Sequence, residues 1–203
     1  MQQVKFEHRM FAPSKIVCVG RNYMAHIHEL DNAVPQQPVI FLKPNSAIAA
    51  DLLAGDDSDR HYEGEICFII VNGQLAGAGF GLDITRRALQ TQLKTAGLPW
   101  ERAKAFDGSA LFSDFHGIAG DLHDLRVELD INGKARQRGD YAQMLHKPEQ
   151  LLNDIKSFMT LEDGDIIMTG TPEGVGPILR GDRYTGRVWQ GETLLAEHAW
   201  QAR

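Results

Sequence analysis

Glu63 and Glu65 stand two residues apart in His61-Tyr62-Glu63-Gly64-Glu65-Ile66-Cys67-Phe68-Ile69-Ile70-Val71. The second half of this stretch is β-branched and aromatic, and Asn72-Gly73 closes it as a turn, so it reads as a strand. Residues two apart on a strand share a face, which points His61, Glu63 and Glu65 the same way. Two carboxylates side by side repel unless a cation sits between them. A third acid, Asp83, follows in Gly81-Leu82-Asp83-Ile84-Thr85. Three carboxylate ligands suit a hard divalent ion, Mg2+ or Mn2+. His61 reads as a partner to the ligands rather than one of them, and Cys67 as packing. An isolated Glu-x-Glu is common on the solvated face of an edge strand, so the company this one keeps decides its meaning.

A second candidate pair is His26 and Glu29. Tyr23 to Leu30 has room for two helical turns, and at i and i+3 the two side chains share a face, with His28 off it. Such a pair can hold a general base and its orienting carboxylate. Lys104 is a lone cation among small residues in an irregular run, Ala103 to Ser109. Thr169-Gly170-Thr171-Pro172-Glu173-Gly174-Val175-Gly176-Pro177 follows the apolar strand Ile166-Ile167-Met168, and its glycines leave backbone N–H groups free to approach an anion.

These residues need a scaffold. Lys15 to Gly20 and Val39 to Pro44 read as short strands, and Leu75 to Leu82 as a strand paired back onto the Glu63/Glu65 strand. Thr85 to Gly97 reads as a helix capped by Thr85 and ended by Gly97. Leu125 to Ile131 alternates as a half-buried strand, and Asn132-Gly133 signals a hairpin. Lys147 to Met159 is amphipathic, with Leu151, Leu152, Ile155, Phe158 and Met159 as its stripe and Pro148 at its first position. Asp182 to Trp200 reads as two strands around Gln190-Gly191. Asp51 to Arg60 is acidic and reads as a flexible surface loop.

The chain has 203 residues, enough for one domain, 1–203, with a sizeable core. A net charge of -6 without a basic tract argues against nucleic acid as a partner. No apolar run reaches the ~18 residues of a membrane helix, and no signal peptide is evident, so a cytoplasmic protein is expected. Cys18 and Cys67 lie in apolar runs and read as buried thiols.

Taken in order, the chain resembles the fumarylacetoacetate hydrolase family in its short single-domain branch. The likeness rests on Val19-Gly20-Arg21-Asn22-Tyr23, Phe41-Leu42-Lys43-Pro44, Glu63-Gly64-Glu65, Leu82-Asp83-Ile84-Thr85, Gly97-Leu98-Pro99-Trp100, Ala103-Lys104-Ala105-Phe106 and Thr169 to Gly176. It implies an α+β fold, mainly β, with several packed β layers rolled around a metal site, few short helices and a homodimer. It also implies Glu63, Glu65 and Asp83 as metal ligands, His26 and Glu29 as a catalytic pair on a lid helix, and Lys104 as the site lysine. Arg21, Arg87, Gln90 and Thr171 are implied as substrate-binding residues. The competing reading of Arg87 is an ordinary salt bridge on its helix.

The expected chemistry is metal-dependent. A 2-oxo acid chelates the ion, His26 takes a proton from water, and hydroxide cleaves an acylpyruvate to pyruvate and a carboxylic acid, with Lys104 adding positive charge beside the departing enolate. The alternative needs the same enolate without water attack: oxaloacetate decarboxylase or tautomerase, or a decarboxylase/isomerase of aromatic-compound degradation.

Overall fold

The computed structural model describes residues 1–55 and 59–203. Strands dominate. Four short α-helices accompany them among the described residues: α1 (Met24–Glu29), α2 (Arg87–Thr95), α3 (Glu101–Lys104) and α4 (Pro148–Phe158). Among the described residues no helix is long and apolar enough to cross a membrane.

The hairpin of Gly64–Val71 and Gln74–Asp83 forms the heart of the largest sheet. It turns on Asn72 and Gly73, both at positive φ (51° and 67°), the pair a tight hairpin turn requires. Beyond Gly64–Val71 the sheet continues through Ile166–Met168 and Lys15–Gly20 to Val39–Pro44. Ile166–Met168 runs parallel to Lys15–Gly20, which brings the glycine-rich loop and the start of α1 to the same edge of the sheet.

The central strand is apolar on both faces because both are covered. Ile66 and Phe68 meet Leu82 and Phe80 and the inner face of a four-stranded sheet, through Val127, Leu129, Tyr184, Val188 and Trp200. That sheet runs Lys134–Asp140, Leu125–Ile131, Arg183–Gln190, Thr193–Gln201, as the hairpin signals at Asn132-Gly133 and Gln190-Gly191 imply. Ile70, further along the same face, packs with Val17, Val19 and Ile167 beneath Leu151, Leu152 and Ile155 of α4. Cys67 and Ile69, on the opposite face, join Cys18, Met168, Val4, Phe11 and Phe115. Both thiols are free and buried.

Several local expectations are corrected. The His61–Glu65 stretch is two strands: Arg60–Tyr62 pairs with Gly176–Pro177 and Thr85–Arg86 in a small sheet, and pairing within the large sheet starts only at Gly64. The Gly64 N–H is drawn out of the small sheet by the Gln137 side chain. Thr85 does not cap α2, because it lies in a short strand and its hydroxyl faces Lys104. Gly97, at φ 65°, does end that helix. Lys104 closes the short helix α3 instead of lying in irregular chain. Phe158 is 59% exposed, because the chain turns extended at Met159 and the ring falls outside the stripe. In the Asp51–Arg60 segment, residues 56–58 lie outside the described residues. Before them, Leu52 and Ala54 are buried and hydrogen-bonded to the backbone of Arg203, so that part is anchored.

The two sheets meet most closely at Gly186, where a Cβ would lie 2.2 Å from the Phe80 ring. Overpacking of this kind costs roughly 1–3 kcal/mol. Gly186→Ala is therefore expected to lower the unfolding free energy by that amount, and Phe80→Leu should recover part of the loss in the double variant. Simple additivity of the two changes in urea titrations would contradict the contact.

Candidate active site

Antiparallel pairing sets Gly64 opposite Leu82, and the Asp83 N–H donates to the Glu63 carbonyl at 2.9 Å. Glu63 and Asp83 are thus cross-strand neighbours, and Glu65 is diagonal to Asp83 on the same face. One carboxylate oxygen from each of Glu63, Glu65 and Asp83 lies within 4.8 Å of the others, and all three side chains are buried. His61 does not join this group.

Three cationic side chains converge on two of the acids. Lys104 Nζ is 2.9 Å from Glu63 Oε2 and 2.7 Å from Asp83 Oδ2. Arg87 donates to Glu63 Oε1 and, at 2.8 Å, to Gln90 Oε1. Lys43, wholly buried, is 2.8 Å from Asp83 Oδ1. Arg87 is therefore bonded to the cluster, not to an acid on its own helix. Glu65 has no salt-bridge partner among the described residues and accepts only the Gly170 N–H, at 2.7 Å.

The consequences for protonation differ within the cluster. Burial would raise Glu63, but the charges of Lys104 and Arg87 outweigh it and hold the carboxyl well below its ordinary value. Burial, then the charges of Asp83 and Glu63, drive Glu65 well above the ordinary carboxylate range, with the Gly170 N–H offsetting only part. Burial opposes the Lys104 ammonium, yet Asp83 and Glu63 carry its pKa above the usual lysine value, which makes Lys104 a fixed charge and not a base. The acids also fit a divalent ion by donor chemistry: hard oxygens, an uncompensated carboxylate at Glu65, and Asp83 Oδ1 without a hydrogen bond despite its ion-pair distance to Lys43.

A narrow cleft of about 30 Å³ lies over the cluster and is lined by Arg21, His26, Glu63, Glu65, Arg87, Gln90, Lys104 and Thr171. Every residue expected at the site is on this wall except Asp83, below it, and Glu29, behind His26. His26 Nδ1 is 3.1 Å from Glu29 Oε2, and Glu29 Oε1 accepts the Gly174 N–H at 3.0 Å. His28 is exposed and outside the cleft, as expected. The glycine-rich loop does present N–H groups to anions, but Gly170 and Gly174 give theirs to the chain's own carboxylates. Arg21 sits at φ 57°, with its Nε buried and unbonded.

Lys43 was not expected at the site, although a lysine directly after the apolar run Val39 to Leu42, in the same strand, is a signal that a buried acid awaits it. Lys94 also lines the cleft, where its Nζ reaches Asn32 Oδ1 at 2.6 Å.

The geometry agrees with comparisons to known proteins. Residues 15–199 match the family model described as fumarylacetoacetate (FAA) hydrolase C-terminal. The chain belongs to the fumarylacetoacetate hydrolase family. Within this family it is 42% identical over 191 residues to the oxaloacetate tautomerase YcgM of Escherichia coli, covering 85% of this chain and 87% of that one. It is 38% identical over 190 residues to the mitochondrial oxaloacetate tautomerase FAHD1 of Bos taurus, covering 85% and 86%. The crystal structure of fumarylpyruvate hydrolase from Pseudomonas aeruginosa, in complex with Mn2+ and pyruvate, superimposes with a TM-score of 0.87 at 30% identity, covering 99% of this chain and 95% of that one. The mainly β fold with few short helices expected from the sequence is thus the family fold.

The raised Glu65 pKa fixes a pH dependence. In cation-depleted protein, the stability contributed by Glu65 is complete below the ordinary carboxylate range and is lost as pH rises through its elevated value. A divalent cation bound there displaces the proton, so affinity should rise with pH and binding should release protons. Glu65→Gln should abolish binding and flatten the alkaline fall in unfolding midpoint. Calorimetry in buffers of different ionisation enthalpy measures the proton count, and a count of zero across the pH range would refute the assignment.

Proposed function

We propose that the chain is a divalent-metal-dependent enzyme interconverting the keto and enol forms of oxaloacetate. The observation that carries this reading is His26, backed by Glu29, sharing one cleft with the Glu63/Glu65/Asp83 cluster. Its choice of substrate follows the 42% identity to the oxaloacetate tautomerase of Escherichia coli. The sequence had put hydrolysis first, and the relatives favour the alternative.

The proposed roles follow from the residues. Glu63, Glu65 and Asp83 hold Mg2+ or Mn2+, which supplies Lewis acidity toward the 2-oxo acid when bound. A carboxylate only accepts, so His26 donates through Nδ1 to Glu29 and keeps a lone pair on Nε2. Nε2 takes the proton from C3. The C–H pair becomes the C2=C3 bond, the carbonyl π pair moves to the oxygen, and that oxygen is protonated from solvent. The Lys104 ammonium gives its three donors to Glu63, Asp83 and Thr85, so it favours the enolate by its charge and not by a hydrogen bond. Arg21, Arg87 and Gln90, on the cleft wall, bind the distal carboxylate. Thr171 donates its hydroxyl to the Gly64 carbonyl at 2.9 Å, so its part is to fix the wall at the ligand strand.

A second reading is C–C hydrolysis of an acylpyruvate such as fumarylpyruvate. The His26–Glu29 pair favours it, because the same base can activate water, and the products pass through the same enolate.

The test is enol absorbance with oxaloacetate and with short acylpyruvates, each with and without Mg2+ or Mn2+. Metal-dependent acceleration of oxaloacetate relaxation is expected, falling roughly 10²- to 10⁴-fold in His26→Gln. Acylpyruvate cleavage with oxaloacetate relaxation no faster than in buffer would replace the first reading with the second.

A further inference from the structure

Gln137 is a buried amide in a strand whose neighbours Ala135, Arg136 and Arg138 are exposed. The strand register slips beside it: Leu129 pairs with Gln137 but Asp130 with Ala135, leaving Arg136 as an extra residue. Directly opposite the buried Leu129, Gln137 shares its inward face and reaches from the four-stranded sheet across to the acidic cluster.

Its polar atoms are fully used. Oε1 accepts the Gly64 N–H at 2.9 Å, and Gly64 lies between the two glutamates. Nε2 donates to Thr171 Oγ1 and to the Pro172 carbonyl, both at 2.8 Å. Thr171 Oγ1 in turn donates to the Gly64 carbonyl. Gly64, Gln137 and Thr171 therefore form a closed ring of hydrogen bonds around the peptide unit that spaces Glu63 from Glu65. The amide orientation is unambiguous, since Oε1 faces a donor and Nε2 faces acceptors. The space is also closed: a Cβ at Gly64 would lie 3.1 Å from Oε1, and one at Gly174 would lie 2.2 Å from the Arg136 carbonyl. The loop held by Nε2 continues to Gly174, whose N–H holds Glu29.

We infer that Gln137 is a positioning residue that sets Glu63 and Glu65 for the divalent cation and, through the Pro172–Gly174 turn, sets Glu29 behind His26. It touches neither the reacting atoms nor the cation, and it links the two halves of the site. This rests on the metal-and-dyad reading above, but not on which oxo acid is turned over.

The test uses the full chain with Gln137→Met, which keeps volume and removes every hydrogen bond, and Gln137→Glu, which keeps the acceptor for Gly64 and removes both donors. Mn2+ affinity is read by the free-ion EPR signal, and His26 by its ring ¹⁵N shifts. Loss of an outer hydrogen bond to a metal site typically costs 10- to 100-fold in affinity. Gln137→Met is expected to bind Mn2+ that much more weakly and to shift the His26 signals toward those of Glu29→Gln. Gln137→Glu is expected to retain most of the Mn2+ affinity while losing the native His26 signals. Exposed Lys134→Ala on the same strand is expected to change neither. Folded Gln137→Met with native Mn2+ affinity and native His26 signals overturns the inference. Should that variant not fold, Gln137→Glu decides, and native His26 signals in it overturn the inference. Failure to turn over oxaloacetate leaves both readouts intact, so the two readings fail separately.

Discussion

Placing three carboxylates in a space from which water is excluded is the constraint around which the molecule is built. Isolated ionised groups in such a place cost far more than a typical fold can spare, so each needs a compensating charge or donor. Lys104 and Arg87 compensate Glu63, while Lys104 and Lys43 compensate Asp83. These cations come from the edge strand Val39–Pro44, from α2 and from α3, and the two helices dock on each other and on Thr85–Arg86, beside the acids. Glu65 alone is left with a single backbone donor, and this asymmetry is what the proposed divalent ion would relieve.

The glycine-rich loop offers its N–H groups to anions, as its composition suggests, but the anions are the chain's own. Its N–H groups serve internal acids, one in the cluster and one in the dyad. Gly170 and Gly174 adopt φ of 98° and 96°, and added side chains would run into Asn22 and the Arg136 carbonyl, so the glycines serve close approach as well as backbone freedom. A loop of this kind acts as a brace between the sheet that holds the acids and the short helix that holds the base.

Much of this was legible in the residues. The alternation in Leu125 to Ile131, the Asn-Gly turns and the apolar run at 66–71 specify their elements because burial there is governed by local pattern. The i,i+3 spacing of His26 and Glu29 was equally direct. What the pattern could not reveal was contact made across sheets. Gln137 sits in Lys-Ala-Arg-Gln-Arg-Gly, where nothing marks it as buried; its place depends on its pairing with Leu129 and on a partner strand 73 residues away. The break at Glu63 was hidden for the same reason, since a strand that changes sheets looks continuous in one dimension. Thr85 has the side chain of a good cap and was captured instead by Lys104.

His26 is carried on a helix of only six residues. Ile27 and Tyr23 anchor it in the core, Asn22 ties its start to the His146 and Thr169 carbonyls, and Glu29 and Asn32 reach Gly174 and Lys94. Glu65 and Asp83 lie in the longest strand pair of the central sheet, with Glu63 just before it. The candidate base and the candidate ion ligands thus stand on separate elements. A lineage could exchange the six-residue segment, and with it the fate of a shared enolate, while inheriting the ion site intact. That separation gives a physical basis for tautomerase, isomerase and hydrolase activities to arise as variants of one scaffold.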